Sequence, residues 1–156
     1  MKIVSTLIEA HVFRLVNDEL EFLLLKRAEG EKYPNLWQMV TGSIESGEKG
    51  FQTALREIDE ETGLTPEKFW VAPQINSFYS AERDEICLIP VFAAVVNPKS
   101  QVKISSEHSE FKWLNKDETK SHLAWKGQRE AVETIHEYFT EKNSFLKFVE
   151  IDLHAI

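Results

Sequence analysis

Acidic side chains are concentrated in residues 42–64, which read GSIESGEKGFQTALREIDEETGL and hold six Asp or Glu residues. On a helix, Glu57 lies one turn from Glu60 and Glu61, and each such like-charge pair costs roughly 0.2–0.5 kcal/mol. A divalent cation bound by carboxylate oxygens is the simplest feature that offsets this repulsion. We therefore interpret the stretch as a metal site rather than as a solvated helix face.

Such a site suits the attack of water on a phosphoric anhydride. Negative charge develops on the bridging and terminal phosphate oxygens, and divalent ions bind these oxygens and lower the pKa of the attacking water. Mg²⁺ commonly takes one or two carboxylates and keeps waters and substrate phosphates as its other ligands. Arg56, four residues before Glu60, is suited to holding a carboxylate in a fixed geometry. Gly42 and Gly47 allow the preceding loop to turn sharply.

A helix over residues 49–62 is predicted to position these carboxylates. Its apolar residues recur at spacings of three and four, which indicates one face packed on the core. Gly63 stands where a C-terminal helix cap is expected. The residues of the apolar stripe are Phe51, Ala54, Leu55, Ile58 and Thr62.

The rest of the chain predicts one mixed α/β domain over residues 1–156. Apolar runs at 3–15 and 21–26, separated by Asn17-Asp18, predict a β-hairpin. The tail FLKFVEIDL is compatible with a strand or a helix. The other predicted elements are loops at 27–35 and 42–47, strands at 36–41, 70–79, 86–96 and 110–114, and a second helix at 127–140.

Composition restricts the partners of the chain. A formal net charge of −8 argues against a nucleic-acid backbone or an anionic membrane. It leaves a phosphate-bearing small molecule open, because bound cations reverse the local field. The single cysteine, Cys87, excludes an internal disulfide and fits a reducing compartment. No run resembles a signal peptide or approaches the roughly 18–20 apolar residues of a membrane span, so we expect a cytoplasmic protein.

The acidic stretch also matches a family signature at nine specified positions, and the chain therefore resembles the Nudix hydrolases. The resemblance implies an α/β/α sandwich, with a mixed β-sheet flanked by helices. It also implies Mg²⁺- or Mn²⁺-dependent hydrolysis of a phosphoric anhydride bond in a nucleoside triphosphate or a related nucleoside-diphosphate-linked compound. The matching residues are Gly42, Glu48, Arg56, Glu57, Ile58, Glu60, Glu61, Gly63 and Leu64.

Roles for individual residues follow from this resemblance. Glu57, Glu60 and Glu61 match the metal-binding glutamates, with Glu57 also the candidate general base, and Arg56 matches the orienting arginine. Glu48 matches an earlier glutamate that supports the loop. Family members often add a glutamate from outside the signature, and here the candidates are Glu107, which we favour, and Glu110.

Substrate contacts must come from outside the acidic helix. Arg27, Thr41 and Gly42 are candidate substrate-binding residues, although Arg27 also fits an ordinary strand-end charge. A nucleobase is an alternative partner for the four tryptophans, which are more often core or rim residues: Trp37, Trp70, Trp113 and Trp125. Phe78 and Tyr79 are candidates for lining the pocket.

The segments LLLKR, LWQMVTGS, EHSEFKWL and GQREAVETI resemble bacterial dihydroneopterin triphosphate pyrophosphatases, also described as dATP pyrophosphohydrolases. Leu-Trp-Gln is also similar to diadenosine tetraphosphate hydrolases, so a dinucleoside polyphosphate is the alternative substrate. A non-catalytic, nucleotide-binding regulatory Nudix domain is the alternative of another class, and the complete set of glutamates favours the enzyme. The sequence is also compatible with a homodimer.

Overall fold

A computed structural model describes residues 1–156, which form a nine-stranded mixed sheet and three helices. The strand order is β4-β3-β2-β7-β6-β9, with β1 beside β7, β5 beside β2 and β8 beside β3. β1 and β2 run parallel to β7, and all other neighbours are antiparallel. The elements are β1 (Lys2–Val4), β2 (Leu7–Val16), β3 (Glu19–Arg27), β4 (Trp37–Gln38), β5 (Val40–Ser43), α1 (Gly50–Thr62), β6 (Lys68–Ser80), β7 (Glu85–Val95), β8 (His108–Leu114), α2 (Lys116–His122), α3 (Lys126–Thr140) and β9 (Val149–Ile151).

Helices cover both faces of this sheet, which confirms the predicted α/β/α sandwich. Because side chains alternate along a strand, β2 supplies both cores. Its residues Ile8 and Val12 pack in one core with Ile58 of α1. Phe13 packs in the other core with Ile135 of α3. The acidic helix and α3 therefore lie on opposite sides of the sheet.

The predicted hairpin is β2–β3, and its turn residues Asn17 and Asp18 have φ values of 51° and 64°. Two positive φ values are typical of the type I′ turn, whose twist matches that of paired strands. The single strands predicted at 3–15 and 36–41 were wrong, since each is two strands. The first divides at Ser5-Thr6, where the Thr6 carbonyl accepts a hydrogen bond from the Ile44 amide at 2.9 Å. The second divides at Met39, which is fully buried in the core.

The acidic helix was predicted correctly. α1 ends at Thr62, and Gly63 follows with a φ of 68°, donating its amide to the Asp59 carbonyl at 2.8 Å. The loop predicted from Gly42 begins later, because β5 pairs with β2 through Ser43. Gly42 is therefore a strand residue rather than a turn residue.

Helix α2 was missed by the sequence analysis, although its N-cap has a recognisable pattern. The Asn115 side chain accepts a hydrogen bond from the Glu118 amide at 2.9 Å, and Asn followed three residues later by Glu is a known helix-start signal. Part of the undecided tail forms β9, which pairs with β6. The other predicted strands and the second helix coincide with β6, β7, β8 and α3 to within a few residues. None of the helices is long and apolar enough to cross a membrane.

Candidate active site

A pocket of about 940 Å³ contains the residues singled out from the sequence. Arg56 and three glutamates come from α1, and Glu107 comes from the segment before β8. Glu110 is not among the lining residues and pairs instead with Lys26 at 3.7 Å. We name Glu57, Glu60, Glu61 and Glu107 the carboxylate cluster. The other sequence-predicted residues that line the pocket are Arg27, Thr41 and Gly42.

Arg56 connects the carboxylates of the acidic stretch. Its guanidinium binds Glu48 through two hydrogen bonds of 2.8 and 3.0 Å, and donates to Glu57 at 2.9 Å and to Glu60 at 3.2 Å. It also donates to the Ser43 carbonyl at 3.1 Å, which ties the helix to the end of β5. The hydrogen bond from Arg56 lowers the pKa of Glu48 to about 2, with help from the Thr53 hydroxyl. Arg56 therefore holds the loop and the helix in one geometry.

Gly42 is required by close approach rather than by backbone conformation. A Cβ atom built on Gly42 would lie 2.3 Å from Cγ of Glu57. The Glu57 side chain therefore packs directly over the backbone of β5, and burial raises its pKa while Arg56 opposes that rise. The second predicted loop glycine, Gly47, does have a positive φ of 81°.

Glu61 is the most perturbed acid of the site. Only 4% of the residue is exposed, and its Oε2 atom is buried without a hydrogen-bond partner. Burial raises the pKa of Glu61 to about 9, and the negative charges of Glu57 and Glu107 add to the rise. A backbone hydrogen bond from Thr41 and the positive charge of Arg27 act in the opposite direction. A cation placed beside Glu61 would relieve this energetic cost.

The carboxylate cluster fits a divalent cation by its chemistry. Carboxylate oxygens are the preferred ligands of Mg²⁺, and Glu61 brings a buried oxygen with no other partner. In this structure no three acidic or histidine side chains converge tightly enough to enclose an ion. Two members of the carboxylate cluster, Glu57 and Glu60, are held by direct hydrogen bonds from Arg56.

Aromatic side chains line another part of the same pocket. Tyr33 and Trp125 meet edge to face, with ring centroids 5.8 Å apart, and Phe78 lies nearby in the lining with 47% of its surface exposed. The other aromatic residues considered in the sequence analysis lie elsewhere. Tyr79 donates to Asp84 at 3.0 Å, and Trp37, Trp70 and Trp113 pack in or against the two cores. Cys87 is buried and borders the pocket.

The sequence analysis missed several polar residues of this lining, among them Glu9, Gln38 and Gln128. Glu9 had a weak signal, since it interrupts the first apolar run of the chain. Gln38 and Gln128 had none, because an isolated glutamine in a strand or at a helix start is ordinary.

Comparison with known proteins identifies the family. The NUDIX domain model matches residues 6–135, and the chain belongs to the Nudix family. It is similar to the mouse bis(5'-nucleosyl)-tetraphosphatase (asymmetrical), with 26% identity over 80% of this chain and 84% of the relative. It is also similar to the nucleoside triphosphatase NudI of Escherichia coli, with 27% identity over 67% of this chain and 79% of the relative.

Structural comparison agrees with this assignment. The Caenorhabditis elegans Ap4A hydrolase in a binary complex superposes with a TM-score of 0.75 and 20% identity, over 86% of this chain and 97% of the other. Membership of this family makes the chain a hydrolase that acts on phosphoric anhydrides. Nudix hydrolases generally use divalent metals.

Proposed function

We propose that the pocket binds a nucleoside polyphosphate, with the phosphates at the carboxylate cluster and the nucleoside towards Tyr33 and Trp125. The observation that carries this proposal is that one continuous pocket joins the acidic helix to an exposed aromatic pair. The carboxylate cluster is negatively charged and therefore binds phosphates only through cations, so hydrolysis depends on Mg²⁺ or Mn²⁺. A divalent cation held by the cluster would neutralise the phosphate oxygens and would lower the pKa of the attacking water.

The residues of α1 divide the remaining work. Glu57, Glu60 and Glu61, together with Glu107 from the segment before β8, would hold the cation, and Glu57 would accept the proton of the attacking water. Glu57 suits this role because its burial raises its pKa, which makes the carboxylate a stronger base. Arg56 orients Glu57 and Glu60 and fixes them relative to Glu48.

Three groups position the substrate phosphates in this proposal. Arg27 lines the pocket with its guanidinium anchored on the Lys32 carbonyl, and it places a positive charge near Glu61. Thr41 presents backbone beside Glu61, and Gly42 leaves room for Glu57. The substrate is thus held between the end of β3, the strand β5 and the acidic helix.

A nucleoside triphosphate and a dinucleoside polyphosphate are both candidate substrates. The nucleoside triphosphate is our first proposal. The dinucleoside polyphosphate is supported by the mouse relative and by the further cations Lys32 and Arg83, which also line the pocket and suit a longer phosphate chain. Identifying the bond that is cleaved shows which of these two compounds is the substrate.

A substrate screen with product identification tests the proposal. Nucleoside triphosphates, dinucleoside polyphosphates, nucleotide sugars and dihydroneopterin triphosphate are incubated with Mg²⁺, with Mn²⁺ or with excess chelator. We expect metal-dependent hydrolysis of one of the first two groups, and loss of that hydrolysis in Glu61→Gln. Asp59→Asn is the matched control, because Asp59 is exposed on the same helix and does not line the pocket.

Two results would contradict the proposal. Hydrolysis that survives exhaustive chelation would exclude the metal-dependent mechanism, and a fully active Glu61→Gln variant would exclude the site assignment. Tight nucleotide binding without turnover of any compound would favour the regulatory domain instead.

A further inference from the structure

Strand β6 has an unpaired edge along its second half. On one side β6 pairs with β7 as far as Ser80, but on its other side it pairs with β9 only from Phe69 to Val71. No other strand lies beside β6, and none of the backbone hydrogen bonds made by turns and loops involves residues 74–80. We name residues 74–80, which read QINSFYS, the open edge.

The open edge lacks the features by which natural proteins protect exposed strands, which are charged side chains, proline and bulges. Pro73 and the bulge between Val71 and Ile75 lie at one end only, and the open edge itself holds no charged residue and no proline. Its apolar side chains are instead exposed, Ile75 by 65%, Phe78 by 47% and Tyr79 by 54%. Since every second residue also turns its backbone N–H and C=O outward, the open edge is suited to pairing with another strand.

The two ends of the open edge restrict what can bind there. β9 occupies the same side of β6 up to Val71, and the chain turns towards β7 after Ser80. An added strand is therefore confined to the length of the open edge itself. In an antiparallel pair, outward-facing residues bond to outward-facing residues of the other strand, so the axis of a symmetric pair passes through a residue rather than between two. Only an axis at Ser77 pairs the whole of the open edge.

We propose that the open edge is a homodimer interface, in which two copies of the chain pair antiparallel about a two-fold axis at Ser77. This pairing places Ile75 opposite Tyr79 of the second copy, and contacts of β-branched with aromatic side chains are favourable across strands. On the other face of the sheet, Phe78, which lines the pocket, lies beside Asn76 of the second copy. The net charge of −8 makes most contacts between two copies repulsive, whereas the open edge brings no charged side chains together.

Symmetry and size define the expected dimer. A two-fold pair uses both open edges and leaves none for a third copy, so assembly stops at two. One pair of short strands is smaller than a standard interface, to which each partner contributes about 20–30 residues. We therefore expect a dimer that dissociates on dilution. The pairing does not involve the carboxylate cluster, so this inference is independent of the proposed function.

Charge substitutions at the axis test the proposal, because Ser77 meets its own copy there. Sedimentation equilibrium gives the Kd of the dimer in wild type, Ser77→Glu and Ser77→Lys. Either variant places two like charges opposite each other, so its Kd should rise about tenfold or more. An equimolar mixture of the two variants should form dimers at least as tight as those of wild type, which misfolded variants would not do. Thr65→Glu and Thr65→Lys are the matched controls, since Thr65, like Ser77, is exposed and does not line the pocket.

Cysteine cross-linking tests the register of the pair. Residues directly opposite in an antiparallel pair have Cα atoms about 4.5–5.5 Å apart, which a disulfide can span. After mild oxidation Ser77→Cys should therefore form a covalent dimer. Ser80→Cys should not, because the two copies of residue 80 are roughly 20 Å apart along the pair. The native Cys87 is buried, so it contributes little background.

Several results would overturn the proposal. A wild-type chain that stays monomeric at every concentration, or a dimer whose Kd is unchanged in both charge variants of Ser77, would show that the open edge does not join two copies. Assemblies larger than a dimer that dissociate in Ser77→Glu would show open-ended pairing instead of a closed pair. Failure of the mixture to form dimers, or equal cross-linking of Ser77→Cys and Ser80→Cys, would exclude an axis at Ser77.

Discussion

Replacing Gly42 with alanine should displace Glu57 and remove most of the activity while leaving the fold intact. The new methyl carbon would lie 2.3 Å from Cγ, 2.4 Å from Cδ and 2.5 Å from Oε1 of Glu57. Carbon atoms in contact prefer a separation of about 3.5–4.0 Å, so the Glu57 side chain has to move by more than about 1 Å. Its 2.9 Å hydrogen bond from Arg56 is lost in the process.

The size of the effect follows from this displacement. A misplacement of about 1 Å in a catalytic group costs about 100-fold in rate, so we expect kcat to fall by about that factor. The backbone of Gly42 lies in a paired strand with ordinary dihedral angles, and the clash is with a side chain that can rotate. We therefore expect a destabilisation at or below the roughly 1–3 kcal/mol that overpacking usually costs.

The assay measures product release from the substrate found in the screen, together with thermal melting. Gly30→Ala is the matched control, because a Cβ on Gly30 has no neighbour within 4 Å. A Gly42→Ala enzyme with the kcat of wild type would refute the reasoning that Glu57 must lie over β5.

Further predictions concern charge and helix ends. In chelator-treated protein the free energy of unfolding should fall as pH rises from 4.5 to about 9. Over this range Glu61 keeps its proton in the folded protein and loses it in the unfolded chain. Denaturant titrations should show this fall in wild type and a smaller one in Glu61→Gln. Arg56→Lys keeps the charge but loses the two-bond contact with Glu48, so the melting temperature should fall, and an unchanged melting temperature would contradict this. Gly63→Ala must adopt a left-handed backbone with a φ of 68°, and calorimetry should show a loss of about 1–2 kcal/mol. Asn115→Ala removes the cap of α2 and should cost about 1 kcal/mol with little change in kcat, because α2 does not line the pocket.

The local sequence pattern was sufficient to predict the structure where neighbouring residues in the chain determine it. The apolar stripe of α1, the cap at Gly63 and the turn at Asn17-Asp18 are all settled by neighbours in sequence, and all are found in the structure. The local pattern was insufficient where the structure depends on which strands pair with each other. Residues 36–41 read as one strand, but β4 pairs with β3 while β5 pairs with β2, and nothing in the six residues records that change of partner.

For this protein the residues of the signature determined the family, and the resemblance to that family implied the α/β/α architecture. The chemistry of the acidic helix followed from the sequence because spacing along a helix sets which carboxylates share a side. The reason for Gly42, the choice between Glu107 and Glu110 and the hydrogen bonds that join Glu9 to Asn76 and Gln74 to Gly127 were decided by tertiary structure, because each depends on residues far apart in the chain. The type and spacing of side chains indicate which chemistry a residue can perform. Distances, burial and unpaired atoms in the folded protein show which groups that residue meets.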